Sequence, residues 1–216
     1  MRSESLPDRL FARWYDRLTD SMEKNHFAQI RSKLLAEARG DILEIGVGTG
    51  ANLPHYSKNP EGDFPLPSHR IFLDSSLPML REASGKGIRS LGNPALGSAS
   101  ALPFRDRSFD TVVVTLVLCS VSEYTTAIRE IHRVISPEGR LIVLEHIQSD
   151  HLLMRTLQRI LTPFWKYPAR GCHLDRPTGK LLENYFDWTH QEMFFLSRMP
   201  FLFGVLNPQK IPHERS

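Results

Sequence analysis

Three glycines at alternate positions, Gly46, Gly48 and Gly50, follow a short apolar run, and this segment (ILEIGVGTGANL, residues 42–53) restricts the fold more than any other. The run DILEIG at 41–46 is too short for a core helix and is closed by glycine, so it reads as a buried strand. Glycines spaced this way let the backbone bend sharply and approach a ligand closely. A dinucleotide-binding turn places its third glycine one position later, as G-x-G-x-x-G, and sets the loop against a pyrophosphate. Here the spacing is G-x-G-x-G, with Glu44 two positions before the first glycine. A carboxylate at that point repels pyrophosphate and attracts the ammonium of a methionine-like group, so the turn suits a cationic nucleoside.

Around this turn the chain alternates. Apolar residues recur at helical spacing over 10–38 (Leu10, Phe11, Trp14, Leu18; then Phe27, Ile30, Leu34, Leu35), which predicts a helical preface. Asn52 and Pro54 suit the cap and first turn of a short helix. The proline-rich stretch at 57–69 predicts an exposed loop. Strands are then expected at 71–73, 95–97, 110–118 and 140–146, with helices at 78–83 and 125–135 between them. Such alternation predicts an α/β, Rossmann-like open sheet, mainly parallel and covered by helices on both faces. The tail breaks the rhythm, with helices at 152–165 and 179–185 and strands at 187–196 and 201–206; the last two are expected to pair antiparallel and close the sheet edge. With 41% hydrophobic and 24% charged residues in 216, one core is expected. We divide this single domain into a helical lid at 1–40, a cofactor-binding core at 41–147 and an acceptor side at 148–216.

From the glycine turn onward, the chain resembles the class I S-adenosylmethionine-dependent methyltransferases over most of its length. Four further strings narrow the resemblance: FARWYDR, GTGANLPHY, TLVLCSV, and LEHI followed by TPFWK and GCHLDRPT. These resemble the branch holding animal alkyl-thiol methyltransferases and bacterial phospholipid- or quinone-type enzymes. The resemblance implies S-adenosyl-L-methionine as cofactor and a small or lipid-like acceptor, a thiol, quinol or aminophospholipid. It also implies that Asp74, with Ser75 behind it in IFLDSS, accepts the ribose hydroxyls. Ser98 stands where the family carries an Asp before the adenine-contacting Ala99, and Asn52 and Leu116 complete the implied cofactor contacts. Asp74→Ala and Gly46→Arg are each expected to abolish cofactor binding while leaving the fold largely intact.

Methyl transfer from a sulfonium is an in-line displacement, so alignment matters most and a base is needed only for a protonated acceptor. Glu145 and His146, at the carboxyl end of the strand at 140–146, are the candidate catalytic groups, with a histidine hydrogen-bonded in the seam between tail and sheet as the alternative reading of His146. Cys119 reads as a small wall residue, with a nucleophile as the sharper alternative. Cys119 and Cys172 are not in a paired C-x-x-C spacing, so no metal is expected and a reducing cytoplasm suits them. The net charge of +3 is scattered, and TLVLCS replaces the Asn/Asp-Pro-Pro-aromatic string of nucleobase-amine enzymes, so no nucleic-acid partner is implied. Trp14 and Tyr15 serve either as lid or as core residues. The helix at 152–165, with Leu153, Leu157, Ile160, Leu161, Phe164 and Trp165 among Arg155 and Arg159, either touches a bilayer surface or packs on the core with a solvated basic face. No run of about 18 apolar residues is present to span a bilayer. Two other function classes remain at this level: a nicotinamide-dependent oxidoreductase and a non-catalytic S-adenosylmethionine-binding module.

Overall fold

The structure, a computed structural model, describes residues 6–56 and 69–210. Of the expected proline-rich loop, all but His69 lies outside the described residues. In chain order the elements are α1 (Leu6–Met22), a π-helical turn (Glu23–Phe27), α2 (Ala28–Leu35), β1 (Ile42–Ile45), β2 (Arg70–Asp74), α3 (Leu77–Gly85), β3 (Asn93–Leu96), β4 (Phe109–Thr115), α4 (Tyr124–Val134), β5 (Ile135–His146), α5 (Leu152–Trp165), α6 (Thr178–Leu182), β6 (Phe186–Leu196) and β7 (Met199–Pro208). Seven strands form a single sheet in the order β3-β2-β1-β4-β5-β7-β6. The first five pair in parallel, and β7 pairs antiparallel with both β5 and β6. The expected mainly parallel sheet with an antiparallel carboxyl-terminal edge is therefore present.

Strand periodicity explains the two-sided core. Val112, Val114, Leu141 and Val143 face a layer built on Ala127, Ile128 and Ile131 of α4. Val113, Ile142 and Leu144 face the opposite layer, with Leu34 and Leu35 of α2 and Leu80 and Ala83 of α3. Because alternate residues of one strand bury themselves on opposite faces, β4 and β5 read as continuous apolar runs. Burial of each such side chain stabilises the fold by roughly 1.5–3 kcal/mol. The strand order reverses between β1 and β4, and the crevice beyond their carboxyl ends is where open sheets bind ligands.

Two local expectations are corrected. The short helix after the glycine turn is only a 3-10 turn, Leu53–His55, and the Asn52 side chain does not cap it; that side chain is held by stronger partners described below. In α5 the apolar positions face outward: Leu153, Ile160 and Phe164 are 70%, 59% and 75% exposed, while the buried members are Gln158 and Thr162. The core-packing alternative for this helix therefore fails. The polar side chains bind inward, Gln158 taking the Ser149 N–H and donating to the Ile147 carbonyl, and Thr162 taking the Leu174 N–H.

Candidate active site

The glycine turn leaves β1 with positive φ at Gly46 (70°), Gly48 (57°) and Gly50 (87°), a region that residues with a Cβ enter at a cost. The three do different jobs. A Cβ at Gly46 would lie 2.4 Å from Val117 Cγ2, and one at Gly50 would lie 2.5 Å from Leu53 Cδ1. At Gly48 it would meet nothing closer than 4.0 Å, so Gly48 is the bare backbone beside open space. Gly46→Arg would therefore have to displace Val117 as well as any ligand contact.

Asp74, at the end of β2, is buried and accepts the Gly48 N–H on Oδ2 and the Ser76 N–H on Oδ1, both at 2.8 Å. Burial raises its pKa, and backbone N–H groups, including that of Ser75, oppose the rise. One carboxylate thus ties the first and second strand-end loops together. Gly97 N–H bonds to the Asp74 carbonyl, bringing the third loop alongside. Within that loop Ala99 is buried, while Ser98 is exposed and its Oγ lies 2.9 Å from Ser100 Oγ.

Glu44 is 2% exposed and points into a network that sequence reasoning did not foresee. Its Oε1 accepts from Asn52 Nδ2 (3.1 Å) and its Oε2 from the Tyr56 hydroxyl (2.7 Å). Arg31 of α2 is buried beside them and donates to Asn52 Oδ1 (2.7 Å), Thr115 Oγ1 (2.9 Å) and Glu23 Oε1 (2.7 Å). Burial pushes the Glu44 carboxyl up to about 7, against the Tyr56 and Asn52 hydrogen bonds and the Arg31 charge, and the nearby Asp74 charge adds to the rise. Glu44 and Asp74 are therefore electrostatic neighbours. Arg31 had a sequence signal: it falls on the apolar helical stripe of Phe27, Leu34 and Leu35, where an unpaired charge would be costly.

On the far side of the sheet reversal, Leu116 follows β4 with φ 59° and gives its N–H to the Leu144 carbonyl at 2.7 Å. Left-handed backbone at a branched residue is uncommon and clusters at functional sites. The next N–H groups, of Val117 and Leu118, donate to Glu145 Oε1. Glu145 is fully buried, and burial raises its carboxyl to about 7; its Oε2 has no hydrogen-bond partner. Arg176 clamps the same loop from the tail by donating to the Leu118 and Val121 carbonyls.

His146 turns the other way. Its Nε2 lies 2.9 Å from Cys172 Sγ, its Nδ1 is buried without a partner, and Phe201 stands edge-on to its ring. Burial alone would lower the imidazole pKa; Cys172 and Glu145 together raise it instead. The neighbouring Cys119 thiol and His146 hold Cys172 well below the usual thiol range, and the same Cys172 neighbour, with burial, pushes Cys119 above it. The structure thus gathers two cysteines that their sequence spacing had left unrelated.

Over this edge lies α1. Asp16 accepts from the Thr49 hydroxyl at 2.5 Å and pairs with Lys86 of the loop after α3 at 2.5 Å. Trp14 is 52% exposed, with Arg17 over its ring, so it is no core residue. Tyr15 faces inward, near Arg31, Cys119 and Cys172, with its phenol pushed up to about 12 by burial. A cavity of about 190 Å³ beside Glu37 and Arg39 lies away from this edge, whereas one of about 360 Å³ runs along α3 and β3 and reaches the edge at Leu77 and Leu96.

A protein-family model described as a methyltransferase domain matches residues 43–143. The thiol S-methyltransferase TMT1B of Rattus norvegicus is 33% identical over 185 residues, covering 81% of this chain and 70% of that protein. The phosphatidylethanolamine N-methyltransferase of Cereibacter sphaeroides is 28% identical over 169 residues, covering 72% and 75%. A solved structure from Thermotoga maritima, described as a SAM-dependent methyltransferase, superposes over 94% of this chain and 98% of its own with a TM-score of 0.65 at 21% identity, a likeness of fold.

Proposed function

The chain belongs to the S-adenosylmethionine-dependent methyltransferase family that includes the thiol S-methyltransferases, and from that premise we propose that it methylates an amphiphilic thiol presented at a lipid surface. It is an enzyme, and its methyl donor is S-adenosyl-L-methionine. A hydride-transferring enzyme and a binding module without turnover are thereby set aside.

The pocket's charges fit that donor. A buried Arg31 guanidinium and a buried Glu44 carboxyl in one network complement the carboxylate and ammonium of an amino acid. We assign Arg31, Glu44, Asn52 and Thr115 to the amino-acid end, the backbone of Gly46, Gly48 and Gly50 to close approach, Asp74 and Ser75 to the ribose, and Ser98 and Ala99 to the adenine. Leu116 forms the wall between donor and acceptor. When bound, the donor supplies an electrophilic methyl on a sulfonium, and the protein's task is alignment, which contributes roughly 7–11 kcal/mol in well-oriented systems. We place Glu145 and His146 on the acceptor side: Glu145 fixes the loop after β4 through Val117 and Leu118, and His146, turned onto Cys172, joins the end of β5 to the tail. A thiol, partly ionised near neutrality, needs little help to lose its proton. α1, fastened by Asp16, serves as the lid that excludes water.

The single observation that carries the lipid-surface reading is the outward apolar face of α5. Apolar side chains interleaved with Arg159 and Lys166 are the composition of an interfacial helix. Among the described residues no helix is long and apolar enough to cross a membrane; we place the protein in the cytoplasm, with α5 against a membrane and residues 1–216 working as one domain. The same face supports a second reading, in which the acceptor is an aminophospholipid. Incubation with isotope-labelled donor and a panel of n-alkyl thiols, a quinol and phosphatidylethanolamine vesicles tests both. Labelled thioether is expected, in greater yield as the alkyl chain lengthens; label confined to the phospholipid nitrogen or to the quinol overturns the thiol reading.

A further inference from the structure

We propose that Cys119, His146 and Cys172 form a binding site for a soft divalent metal ion of the zinc type. The three donor atoms, two thiol sulfurs and an imidazole nitrogen, lie within 4.8 Å of one another. Ligands on one tetrahedral ion, at bond lengths of about 2.0–2.3 Å, are themselves separated by roughly 3.3–3.8 Å, so small side-chain adjustments suffice. Cys119 follows β4, His146 ends β5 and Cys172 lies in the loop after α5, so three separate parts of the chain converge on this point.

Each part is fixed. The loop carrying Cys119 is held by Glu145 and Arg176, and the Cys119 carbonyl takes the His173 N–H at 2.8 Å, which joins the two cysteine loops directly. His146 is set by strand pairing with Phe201 of β7. Packing alone accounts poorly for the arrangement, because it turns a buried imidazole nitrogen onto sulfur. Among the described residues no fourth His, Cys, Asp or Glu joins the group. Three protein ligands with one position left over are the mark of metal sites that bind a further small molecule.

The test uses the full chain, reduced with a phosphine, stripped with a chelator and titrated with Co(II) alone, without methyl donor. The site predicts a thiolate-to-cobalt charge-transfer band and tetrahedral d–d absorption, both saturating at about one equivalent and removed by Zn(II). Zn(II) should also shield both thiols of the wild-type protein from a disulfide reagent, a readout that needs no variant. Cys119→Ser, Cys172→Ser and His146→Ala should each lose the bands while circular dichroism reports the fold. Absent cobalt bands, bands that survive Cys172→Ser, or unshielded thiols overturn the proposal. So does a Cys119–Cys172 disulfide formed by peroxide in a protein that takes up no cobalt, which would make the cluster a redox pair.

Discussion

Glu44 carries two opposite pH dependences, and both follow from its buried position. The carboxyl sits at about 7 in the folded chain against an ordinary 4.5, so between those values the folded state binds a proton that the unfolded state does not. Stability from this residue is therefore present in acid and is lost as pH rises from about 4.5 through about 7, by roughly 3 kcal/mol in total. Urea unfolding of Glu44→Gln should lack that component of the decline; an identical pH profile in variant and wild type would show that Glu44 does not titrate there. Donor binding runs the other way, since an ammonium prefers the ionised carboxylate: S-adenosylhomocysteine affinity, measured by calorimetry, should increase as pH rises through about 7 in the wild type and stay flat in Glu44→Gln. Asp74→Asn should weaken that ligand roughly 10- to 100-fold, the worth of one or two hydrogen bonds to a charged group, and unchanged affinity would move the ribose elsewhere. At this scale the glycines were legible because positive φ leaves few alternatives to glycine. Arg31 showed only as a charge on an apolar helical stripe and Thr115 gave no signal, because Asn52 and Thr115 lie 21 and 84 residues from Arg31 in sequence and only the folded sheet brings them together.

The β6–β7 hairpin shows what an element's sequence does and does not declare. The two strands could be read from their apolar content and from the loss of helical rhythm after residue 186. Their connection is a two-residue turn at Ser197 and Arg198, with φ 47° and 69°, closing on the Leu196–Met199 pair. Positive φ at both central residues is the type I′ hairpin turn, which favours Asn-Gly; a Ser-Arg pair gives no such signal. The turn is thus built against local preference and is held by the strands on either side. Replacing Ser197 and Arg198 by Asn and Gly should stabilise the protein by about 0.5–1.5 kcal/mol, raising Tm by roughly 1–5 °C in calorimetry. A fall in Tm would mean that the Arg198 side chain contributes more than its backbone costs. For α5 the legibility was also split: spacing revealed the helix and its apolar stripe, whereas the direction of the stripe was decided by Gln158 and Thr162 bonding to the segments on either side of the helix.

At the scale of the whole molecule, the sheet's carboxyl edge, the lid and the acceptor-side tail converge, and α5 places an apolar surface beside them. Leu153, Leu157, Ile160, Leu161 and Phe164 are all exposed, with Tyr167 just beyond the helix end, a contiguous apolar face of the kind that marks an interaction surface. Two independent terms would hold it on a bilayer: the apolar area removed from water, and the attraction of Arg159 and Lys166 to anionic headgroups, worth about 1 kcal/mol per basic residue. The two terms separate experimentally. Co-sedimentation with vesicles containing anionic lipid should weaken as salt is raised, because the headgroup term is screened over about 8–10 Å, yet a residual salt-resistant fraction should remain from the apolar term. Leu153→Glu combined with Phe164→Glu should remove that residual fraction and leave turnover of a short, water-soluble thiol within about twofold of wild type, since outward side chains of α5 touch nothing in the pocket. Long-chain thiols should then lose their advantage over short ones. Vesicle binding that survives the double substitution would place the lipid-facing surface elsewhere, and loss of turnover with the short thiol would mean that α5 shapes the pocket itself rather than the route by which an acceptor reaches it.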